Sequence, residues 1–498
     1  MAKLLSQLLE KIDVVQLSGS AEVMIQDVSY DSRAVQDGTL FICLDGAHVD
    51  GHSYAAKAVE AGAVAVLAEK EVDVPEGITV VRVADTHAAM QELVPYFFDY
   101  PSRKLRMVGV TGTNGKTTST YVLRSILQKA GYRVGVIGTI QIMIEDEVLP
   151  ISNTTPDVVD LQKVLARMVE ANIDYVIMEV SSHALALNRV AGCDFNIAMF
   201  TNLTQDHLDF HKTLEQYALA KADLFKRLAS ETNCKPNRAA VVNLDDKASQ
   251  VMIEAAQGVK TITYGIHSEA DVRATDIRVT GSGTSFTIVG AYGEQKLNLR
   301  ITGIFNVYNV LGTICAALSE NIDWSTIIDS LEAFTSVAGR FELIDGGQSF
   351  PIIVDYAHTP DGLENILNTA KEFTKGRIIV VFGCGGDRDR TKRPIMGRIA
   401  ATLGDVVIAT SDNPRTENPD AILADVEAGI LEVLDDNTQY EKIADRRSAI
   451  ERAITMAKAD DVVMIAGKGH ETYQILNTGT IHFDDREVAR EVVKGLAK

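Results

Sequence analysis

Short apolar runs separated by amphipathic stretches recur along most of the chain. Residues 105–131 begin as an apolar strand, pass through a glycine-containing turn and continue as a helix that we expect to end at Gly131. Further apolar runs at 132–139, 174–180 and 193–202 predict buried strands. Strands that alternate with helices in this way predict a parallel sheet with helices on its faces.

The same alternation returns after residue 341. Four apolar runs end in charged residues and predict a doubly wound, mostly parallel sheet: PIIVDYAH (351–358), RIIVVFGCGGDRDR (377–390), DVVIATSDNPR (405–415) and DVVMIAGKGHE (461–471). The GCGG string lacks the third glycine of a dinucleotide-binding fingerprint, which disfavours a nicotinamide or flavin site. Charged residues gathered at one sheet edge instead favour a small zwitterionic ligand.

The remaining patterns are weaker. Residues 39–44 and 63–68 predict strands on either side of a helix at 52–60, so the first 100 residues form a small α/β unit. Residues 1–15 have the spacing of an amphipathic helix. Polar and apolar residues alternate over 270–302, which predicts an antiparallel hairpin at the edge of the central sheet.

The length of 498 residues and the apolar content of 46% allow about three domains, each with its own core. The fold class is therefore α/β. We place the N-terminal domain at 1–100, the central domain at 101–337 and the C-terminal domain at 338–498, with the linker PSRK at 101–104.

Net charge limits the partners. Aspartate and glutamate exceed lysine and arginine by 68 to 48, a net charge of -20, so we expect no nucleic acid partner. No apolar stretch approaches the length needed to span a bilayer, so we expect no insertion into a membrane. Five scattered cysteines without metal-type spacing favour reduced thiols and a cytoplasmic location.

The turn at 112–117 predicts a phosphate site. Its backbone N–H groups would line a concavity at a helix N-terminus, which suits the oxygens of a polyphosphate. Lys116 can reach the β- and γ-phosphates, and the Thr117 hydroxyl can bind Mg²⁺. The competing interpretation is an ordinary strand-to-helix turn whose glycines serve only tight geometry.

Two further residues fall at the same predicted edge. Glu179 ends the strand at 174–180 and would face Lys116, where its carboxylate could hold Mg²⁺. His207 follows the strand at 193–202 and is a candidate metal ligand, whereas His211 is expected to be structural. Lys221 lies on a helix, and its spacing alone predicts a solvated side chain.

These segments together resemble the Mur ligases, the ATP-dependent amide-forming enzymes of peptidoglycan precursor synthesis. The resemblance covers essentially the whole chain and rests on GTNGKTT (112–118), TNLTQDHLDFH (201–211), YALAK (217–221), GIFNVYN (303–309), AGRFE (338–342) and DYAHTP (355–360). A second set is similar to the members that add the third peptide residue: DSR (31–33), NTTPD (153–157), EVSSHAL (179–185), GCGGDRDRTKRP (383–394), DNPR (412–415) and GKGHE (467–471).

The resemblance implies a role for each matching position. ATP would bind Gly112, Thr113, Asn114, Gly115, Lys116, Thr117, Thr118, Asn309, Arg340, Asp355 and His358. UDP-N-acetylmuramoyl-L-alanyl-D-glutamate would bind Ser32, Ala47, His48, Val49, Asn153, Thr154, Thr155, Ser181 and Arg189. Lys116, Glu179, His207 and Lys221 would be catalytic, and Mg²⁺ would be held by Thr117, Glu179, His207 and Lys221, the last as a carbamate. This reverses the solvated interpretation of Lys221.

The reaction implied by the resemblance activates a D-glutamate carboxylate as an acyl phosphate, which the amine of an incoming amino acid then captures. The residues expected to bind meso-2,6-diaminopimelate are Arg388, Asp412, Asn413, Pro414, Arg415, Gly467 and Glu471. The Arg415 guanidinium suits the distal carboxylate of diaminopimelate and would repel the ammonium of L-lysine. We expect a monomer.

Other functions stay open at this point. L-Lysine is the alternative amino acid. A P-loop kinase or GTPase-like switch would explain 105–131 but not the charged edge of the C-terminal domain. Folylpolyglutamate synthetase has a similar phosphate loop, and a nucleotide-binding module without catalysis is the remaining possibility.

Overall fold

The computed structural model describes residues 2–46, 49–151, 153–281 and 283–496. In the N-terminal domain a five-stranded sheet has the order β2-β7-β6-β5-β4, with only β2 antiparallel. Its elements are β1 (Lys3–Leu4), α1 (Leu5–Leu9), β2 (Val14–Ser18), β3 (Met24–Ile25), β4 (Asp27–Ser29), β5 (Thr39–Ile42), α2 (Ala55–Glu60), β6 (Ala63–Ala68), β7 (Thr79–Val83) and α3 (Thr86–Phe97).

The strands predicted at 39–44 and 63–68 are confirmed as β5 and β6, and the helix predicted at 52–60 contains α2 after one 3₁₀ turn. The amphipathic helix predicted over 1–15 is wrong in extent. Only α1 is helical, with Leu5 and Leu8 buried, and the chain enters strand β2 at Val14. Pairing of β2 with β7 is a non-local contact that outweighs the local helical spacing.

The central domain is built on an eleven-stranded sheet of order β11-β10-β9-β12-β8-β13-β14-β15-β16-β17-β18. Its elements are β8 (Arg106–Thr111), α4 (Lys116–Lys129), β9 (Val134–Ile137), β10 (Ile142–Ile144), β11 (Glu147–Leu149), α5 (Val158–Glu170), β12 (Tyr175–Glu179), α6 (Ser182–Ala186), β13 (Ile197–Phe200), α7 (Leu208–His211), α8 (Leu214–Ala229), β14 (Ala239–Asn243), α9 (Ser249–Ala255), β15 (Lys260–Gly265), β16 (Val272–Thr280), β17 (Gly283–Gly290), β18 (Gln295–Leu299), α10 (Ile304–Ser319) and α11 (Trp324–Ala333).

Strand β8 lies between β12 and β13, and all three are parallel. Their carboxyl ends therefore meet at one edge, as predicted, and carry the phosphate loop, Glu179 and the segment after 200. Helices α4 and α10 pack on one face of the sheet, and α5 and α8 pack on the other. The hairpin predicted at 270–302 is confirmed, because β17 pairs antiparallel with both β16 and β18.

The C-terminal domain has a six-stranded sheet of order β19-β20-β24-β21-β22-β23, parallel except for β19. This confirms the doubly wound sheet. Its elements are β19 (Glu342–Ile344), β20 (Ile352–Asp355), α12 (Pro360–Phe373), β21 (Ile378–Phe382), α13 (Lys392–Leu403), β22 (Val406–Ala409), α14 (Pro419–Leu431), β23 (Gln439–Lys442), α15 (Arg446–Met456), β24 (Val462–Ala466), β25 (Tyr473–Leu476), β26 (Gly479–His482) and α16 (Asp485–Leu496).

Polar contacts join the N-terminal and central domains. The hydroxyl of Tyr30 donates to Asp160 at 2.7 Å, and Lys163 pairs with Asp27 at 2.8 Å. None of the helices in the described part of the chain is long and apolar enough to cross a bilayer.

Candidate active site

The phosphate loop lies between β8 and α4 and is held in place by the segment after β13. Gly112 has φ 152°, and a Cβ there would lie 1.8 Å from the Thr201 hydroxyl, so only glycine fits. Asn202 accepts from the Thr113 N–H at 2.8 Å through its backbone and from the Asn114 N–H at 2.9 Å through its side chain. The phosphate loop that follows β8 is therefore held in place by residues that follow β13.

Lys116 begins α4 and folds back over the loop. Its ammonium donates to the carbonyls of Gly112 at 2.9 Å and Thr113 at 2.8 Å. Burial lowers the pKa of Lys116, while the nearby Glu179 carboxylate acts in the opposite direction. The ammonium is thus at the mouth of the loop, where it would meet phosphate oxygens.

Glu179 is fully buried at the end of β12, and among the described residues its carboxylate accepts hydrogen bonds only from neutral donors. Its carboxylate accepts from the Thr117 hydroxyl at 3.0 Å and from the backbone N–H and hydroxyl of Thr139, at 3.0 and 2.9 Å. The prediction that Glu179 and the phosphate loop share an edge is confirmed. Thr139 was not predicted as a site residue, although its position at the end of the neighbouring strand gave the signal.

The oxygens of Thr117 and Glu179 suit Mg²⁺, which prefers hard oxygen ligands and keeps several waters or phosphates. A buried carboxylate that receives only neutral hydrogen bonds is also the kind of group that a cation stabilises. Over the described ranges, no group of three or more His, Cys, Asp or Glu side chains converges into a complete metal cage. Thr117 and Glu179 could therefore contribute part of a Mg²⁺ shell that substrate oxygens complete.

His207 is half-exposed beside the rings of His183 and Tyr217. It has φ 54°, and its ring lies 4.7 Å from that of His183. Burial, with smaller contributions from His183 and Lys116, lowers its pKa to about 4. At neutral pH His207 is therefore uncharged, the form in which imidazole binds metals. His211 donates or accepts at 2.9 Å with Ser182, which agrees with a structural role.

Lys221 is only 1% exposed on α8, which contradicts the solvated interpretation of its helix spacing. Its ammonium lies 4.2 Å from the centre of the Tyr217 ring. Burial, followed by repulsion from Lys116, lowers its pKa well below the ordinary value. A lysine in these surroundings is readily available as the neutral amine.

The C-terminal domain reaches the phosphate loop through two side chains. Arg340 donates to the Thr117 hydroxyl at 3.2 Å, and its guanidinium stacks 4.5 Å from the centre of the Tyr356 ring. Asp361, at the start of α12, accepts from the Asn114 side chain at 2.5 Å. Asp361 was not predicted as a site residue, because contacts between residues so far apart leave no pattern in the sequence.

The other positions expected to bind ATP lie around these contacts. Asp355 is buried and accepts from the backbone N–H of Phe341 at 2.6 Å, and burial raises its pKa. His358 is exposed on the following loop. Asn309 is buried on α10 against Gly115, where a Cβ would lie 2.2 Å from the Asn309 side-chain oxygen.

Four of the residues expected to bind the muramoyl dipeptide lie next to Glu179. The Thr155 hydroxyl donates to the Glu179 carbonyl at 2.8 Å and accepts from the Ser181 N–H at 3.0 Å. Arg189 donates to the Thr155 carbonyl at 3.5 Å, and the Thr154 hydroxyl is 3.1 Å from that of Thr139.

The remaining positions of this set are more dispersed. Asn153 is exposed beside Thr154, and Ser32 and Val49 lie on loops of the N-terminal domain. The predicted residues Ala47 and His48 lie outside the described residues.

The DNPR loop (412–415) and the GKGHE loop (467–471) meet at the carboxyl edge of the C-terminal sheet. The Asn413 side chain donates to Glu471 at 2.9 Å. One oxygen of Asp412 accepts from the Asn413 N–H at 2.6 Å, while the other is buried and has no hydrogen-bond partner within the described chain. Gly467, with φ 119°, allows this approach, since a Cβ would lie 2.8 Å from Asp412.

Arg415 has φ 55°, a conformation that is costly for a residue with a side chain and is common at binding sites. Its guanidinium donates to the Gly386 carbonyl at 2.8 Å, whose backbone lies tightly against Pro414. Arg388 is exposed on the same side of the domain. The predicted binding loops are therefore together, with Arg415 more firmly held than Arg388.

Comparison with known proteins relates the chain to one family. Family profiles described as "Mur ligase family, catalytic domain", "Mur ligase middle domain" and "Mur ligase, glutamate ligase domain" match residues 24–97, 110–317 and 339–469. A protein of Bacillus velezensis named "UDP-N-acetylmuramoyl-L-alanyl-D-glutamate--2,6-diaminopimelate ligase" is 49% identical over 95% of each chain. A Bacillus cereus protein of the same name is 47% identical over 95% of this chain and 94% of its own.

A solved structure extends the similarity to the fold. The structure titled as a UDP-N-acetylmuramoyl-L-alanyl-D-glutamate--2,6-diaminopimelate ligase covers 100% of both chains, with 33% identity and a TM-score of 0.70.

Proposed function

The chain belongs to the Mur ligase family, and from that premise we propose that it joins meso-2,6-diaminopimelate to UDP-N-acetylmuramoyl-L-alanyl-D-glutamate at the expense of ATP. The product is a precursor of peptidoglycan, and ADP and phosphate are released. The relatives that carry this name match nearly the full length of the chain. The reaction belongs in the cytoplasm, where free cysteines stay reduced, and the chain acts as a monomer.

One observation supports this proposal above the others. The DNPR loop and the GKGHE loop meet in the same domain whose Arg340 donates to Thr117 of the phosphate loop. A site that presents charged groups for an amino acid is thus joined to a site for a polyphosphate. A kinase or a GTPase-like switch has no use for the first of these sites.

The central domain activates the D-glutamate carboxylate. ATP places its phosphates on the N–H groups of residues 112–117, and the Lys116 ammonium offsets their charge. A carboxylate oxygen of D-glutamate attacks the γ-phosphorus, the bond to the β-phosphate oxygen breaks, and ADP leaves. Thr117 and Glu179 would hold Mg²⁺, assisted by His207, and the ion would offset the charge of the phosphate oxygens.

Lys221 contributes a second charge to this region. Its neutral amine can add to the carbon of CO₂ and lose a proton, which gives a carbamate with two oxygens. That modification gives an anion, which the Lys116 ammonium attracts, in place of a lysine whose ammonium form is disfavoured by burial and then by repulsion from Lys116. The carbamate is then an oxygen ligand of the kind that Mg²⁺ accepts.

The C-terminal domain binds the amino acid whose amine reacts with the acyl phosphate. The amine of diaminopimelate attacks the activated carbonyl carbon, and phosphate leaves with the former carboxylate oxygen. Arg415 pairs with the carboxylate at the distal end of diaminopimelate, and Glu471 pairs with the distal ammonium. Asp412, with its unpartnered buried oxygen, adds negative charge beside that ammonium.

The test is to incubate the purified protein with ATP, the UDP-muramoyl dipeptide and either meso-diaminopimelate or L-lysine, and to weigh the product. We expect a product whose mass has increased by diaminopimelate minus water, with one phosphate released per product. Equal use of L-lysine would contradict the amino-acid assignment alone. ATP turnover or binding without any ligated product would overturn the proposed function.

A further inference from the structure

Lys468 lies at the centre of the two C-terminal loops that the proposed function uses, although it takes part in none of the steps of that function. Its side chain is 0% exposed, directly after β24. It stands between Gly467 and Gly469, which have φ 119° and 52°, so the backbone turns sharply on both sides of it. A buried ammonium is costly unless its partners are well placed.

Lys468 and its two side-chain hydrogen-bond partners, Glu471 and Asn413, are all bonded to one another. Its ammonium donates to Oε2 of Glu471 at 2.9 Å and to the Asn413 side-chain oxygen at 3.3 Å. Asn413 in turn donates to the same Oε2 of Glu471 at 2.9 Å. Asn413 is fixed independently, because its oxygen also accepts from the Ile475 N–H at 2.9 Å.

Both donors therefore use one oxygen of Glu471. Within the described chain, Oε1 of Glu471 accepts no hydrogen bond, and the side chain is 13% exposed. A carboxylate held through Oε2 alone has a fixed rotamer and a free oxygen with a defined direction. That arrangement suits recognition of one further cation.

We propose that Lys468 is a positioning residue for amino-acid selection, which holds Glu471 through Oε2 so that Oε1 receives the distal ammonium of the incoming diamino acid. The proposal rests on the proposed function. The Lys468 ammonium then does more than balance the charge of Glu471, because selection of the amino acid depends on the direction in which Oε1 of Glu471 points. Without Lys468, Glu471 would keep its charge but gain rotamers, and binding would have to order it again.

The test compares wild type with Lys468→Met, which keeps the length and apolar stem and removes the ammonium. We expect the KM for meso-diaminopimelate to rise by about 10- to 100-fold, as for loss of one charge-assisted hydrogen bond. We expect kcat to change by less than about threefold, as for lost ground-state binding. The exposed Lys442, which pairs with Glu427 at 2.7 Å in the same domain, gives the control Lys442→Met, with no change expected.

A second ligand separates positioning from general damage. 2-Aminopimelate lacks the distal ammonium and keeps both carboxylates, so its affinity, as substrate or as inhibitor of diaminopimelate addition, should not depend on Lys468. Equal weakening of both ligands in Lys468→Met would overturn the proposal, and so would an unchanged KM for diaminopimelate. If wild type ligates no amino acid, the proposed function has failed instead.

A double-mutant cycle gives an independent answer. If Lys468 acts through Glu471, then Lys468→Met combined with Glu471→Gln should raise the KM no more than Glu471→Gln alone. Effects that multiply would show that Lys468 acts elsewhere. Should Lys468→Met fail to fold, Lys468→Gln retains a donor and replaces it in the same cycle, with a smaller expected rise in KM.

Discussion

Substitution of Arg415 by alanine tests the amino-acid preference directly. One guanidinium nitrogen is engaged by the Gly386 and Asn413 carbonyls, at 2.8 and 3.4 Å, so the group is oriented before substrate binds. Within the described residues, its other two nitrogens make no hydrogen bond and are available to a carboxylate. Two charge-assisted hydrogen bonds at the lower end of their range, appropriate for a half-buried group, give about 3 kcal/mol.

That free energy corresponds to a loss of roughly 100-fold in kcat/KM for meso-diaminopimelate. For L-lysine we expect no loss, because the variant removes a repulsive charge. Alanine is chosen over glycine because it keeps a side chain at φ 55° and so leaves the backbone cost unchanged. The assay measures both amino acids with saturating ATP and UDP-muramoyl dipeptide.

The matched control is Arg452→Ala, at an exposed guanidinium that pairs with Glu441 at 2.8 Å in the same domain. Its effect on kcat/KM should stay within about twofold, as for a surface ion pair. The reasoning is refuted if Arg415→Ala leaves the KM for diaminopimelate unchanged while the wild type prefers that substrate.

Three further predictions concern other parts of the molecule. Lys221→Ala should lose most activity and regain part of it with short carboxylic acids, whereas loss that no acid reverses would count against the carbamate. Arg446→Met should lower the free energy of unfolding by about 3 to 5 kcal/mol, because Asp485 would be left buried without its partner. Urea unfolding measures this change. Arg447→Met, at an exposed arginine, is the control and should change the free energy of unfolding little. The free energy of unfolding should fall as pH decreases from about 6.5, because burial lowers the pKa of His470 to about 3 in the folded chain and the unfolded chain then binds more protons. His470→Gln should show a shallower fall with pH. An identical fall would contradict the role given to His470.

The features of the fold that depend on local sequence patterns were predicted correctly. Apolar runs located the buried strands, and the rule that parallel strands end at one edge brought Glu179 to the phosphate loop. Prediction from the sequence was wrong where a contact between residues distant in the chain determines the local structure. Val14 belongs to a strand because β7 is available to pair with it, although its own neighbours have helical spacing.

Lys221 shows the same limit within the site. Spacing on α8 distinguishes the two faces of the helix, but it does not reveal that the face carrying this lysine is buried. Only the family resemblance made Lys221 a site residue, and the structure explains why a lysine there differs from one on a solvated face. Burial and the positive charge of Lys116 both disfavour its ammonium form.

The contacts between domains explain how two separate recognition sites can serve one bond. The carboxylate is activated on the central domain and the amine is selected on the C-terminal domain, yet their reacting atoms must come within about 3 to 3.5 Å. Arg340 and Asp361 are the side chains that link the C-terminal domain to the phosphate loop, through Thr117 and Asn114. Because Thr117 contacts both Glu179 and Arg340, we expect occupation of the phosphate loop to affect the position of the C-terminal domain. We therefore expect nucleotide binding and amine delivery to be coupled through these hydrogen bonds.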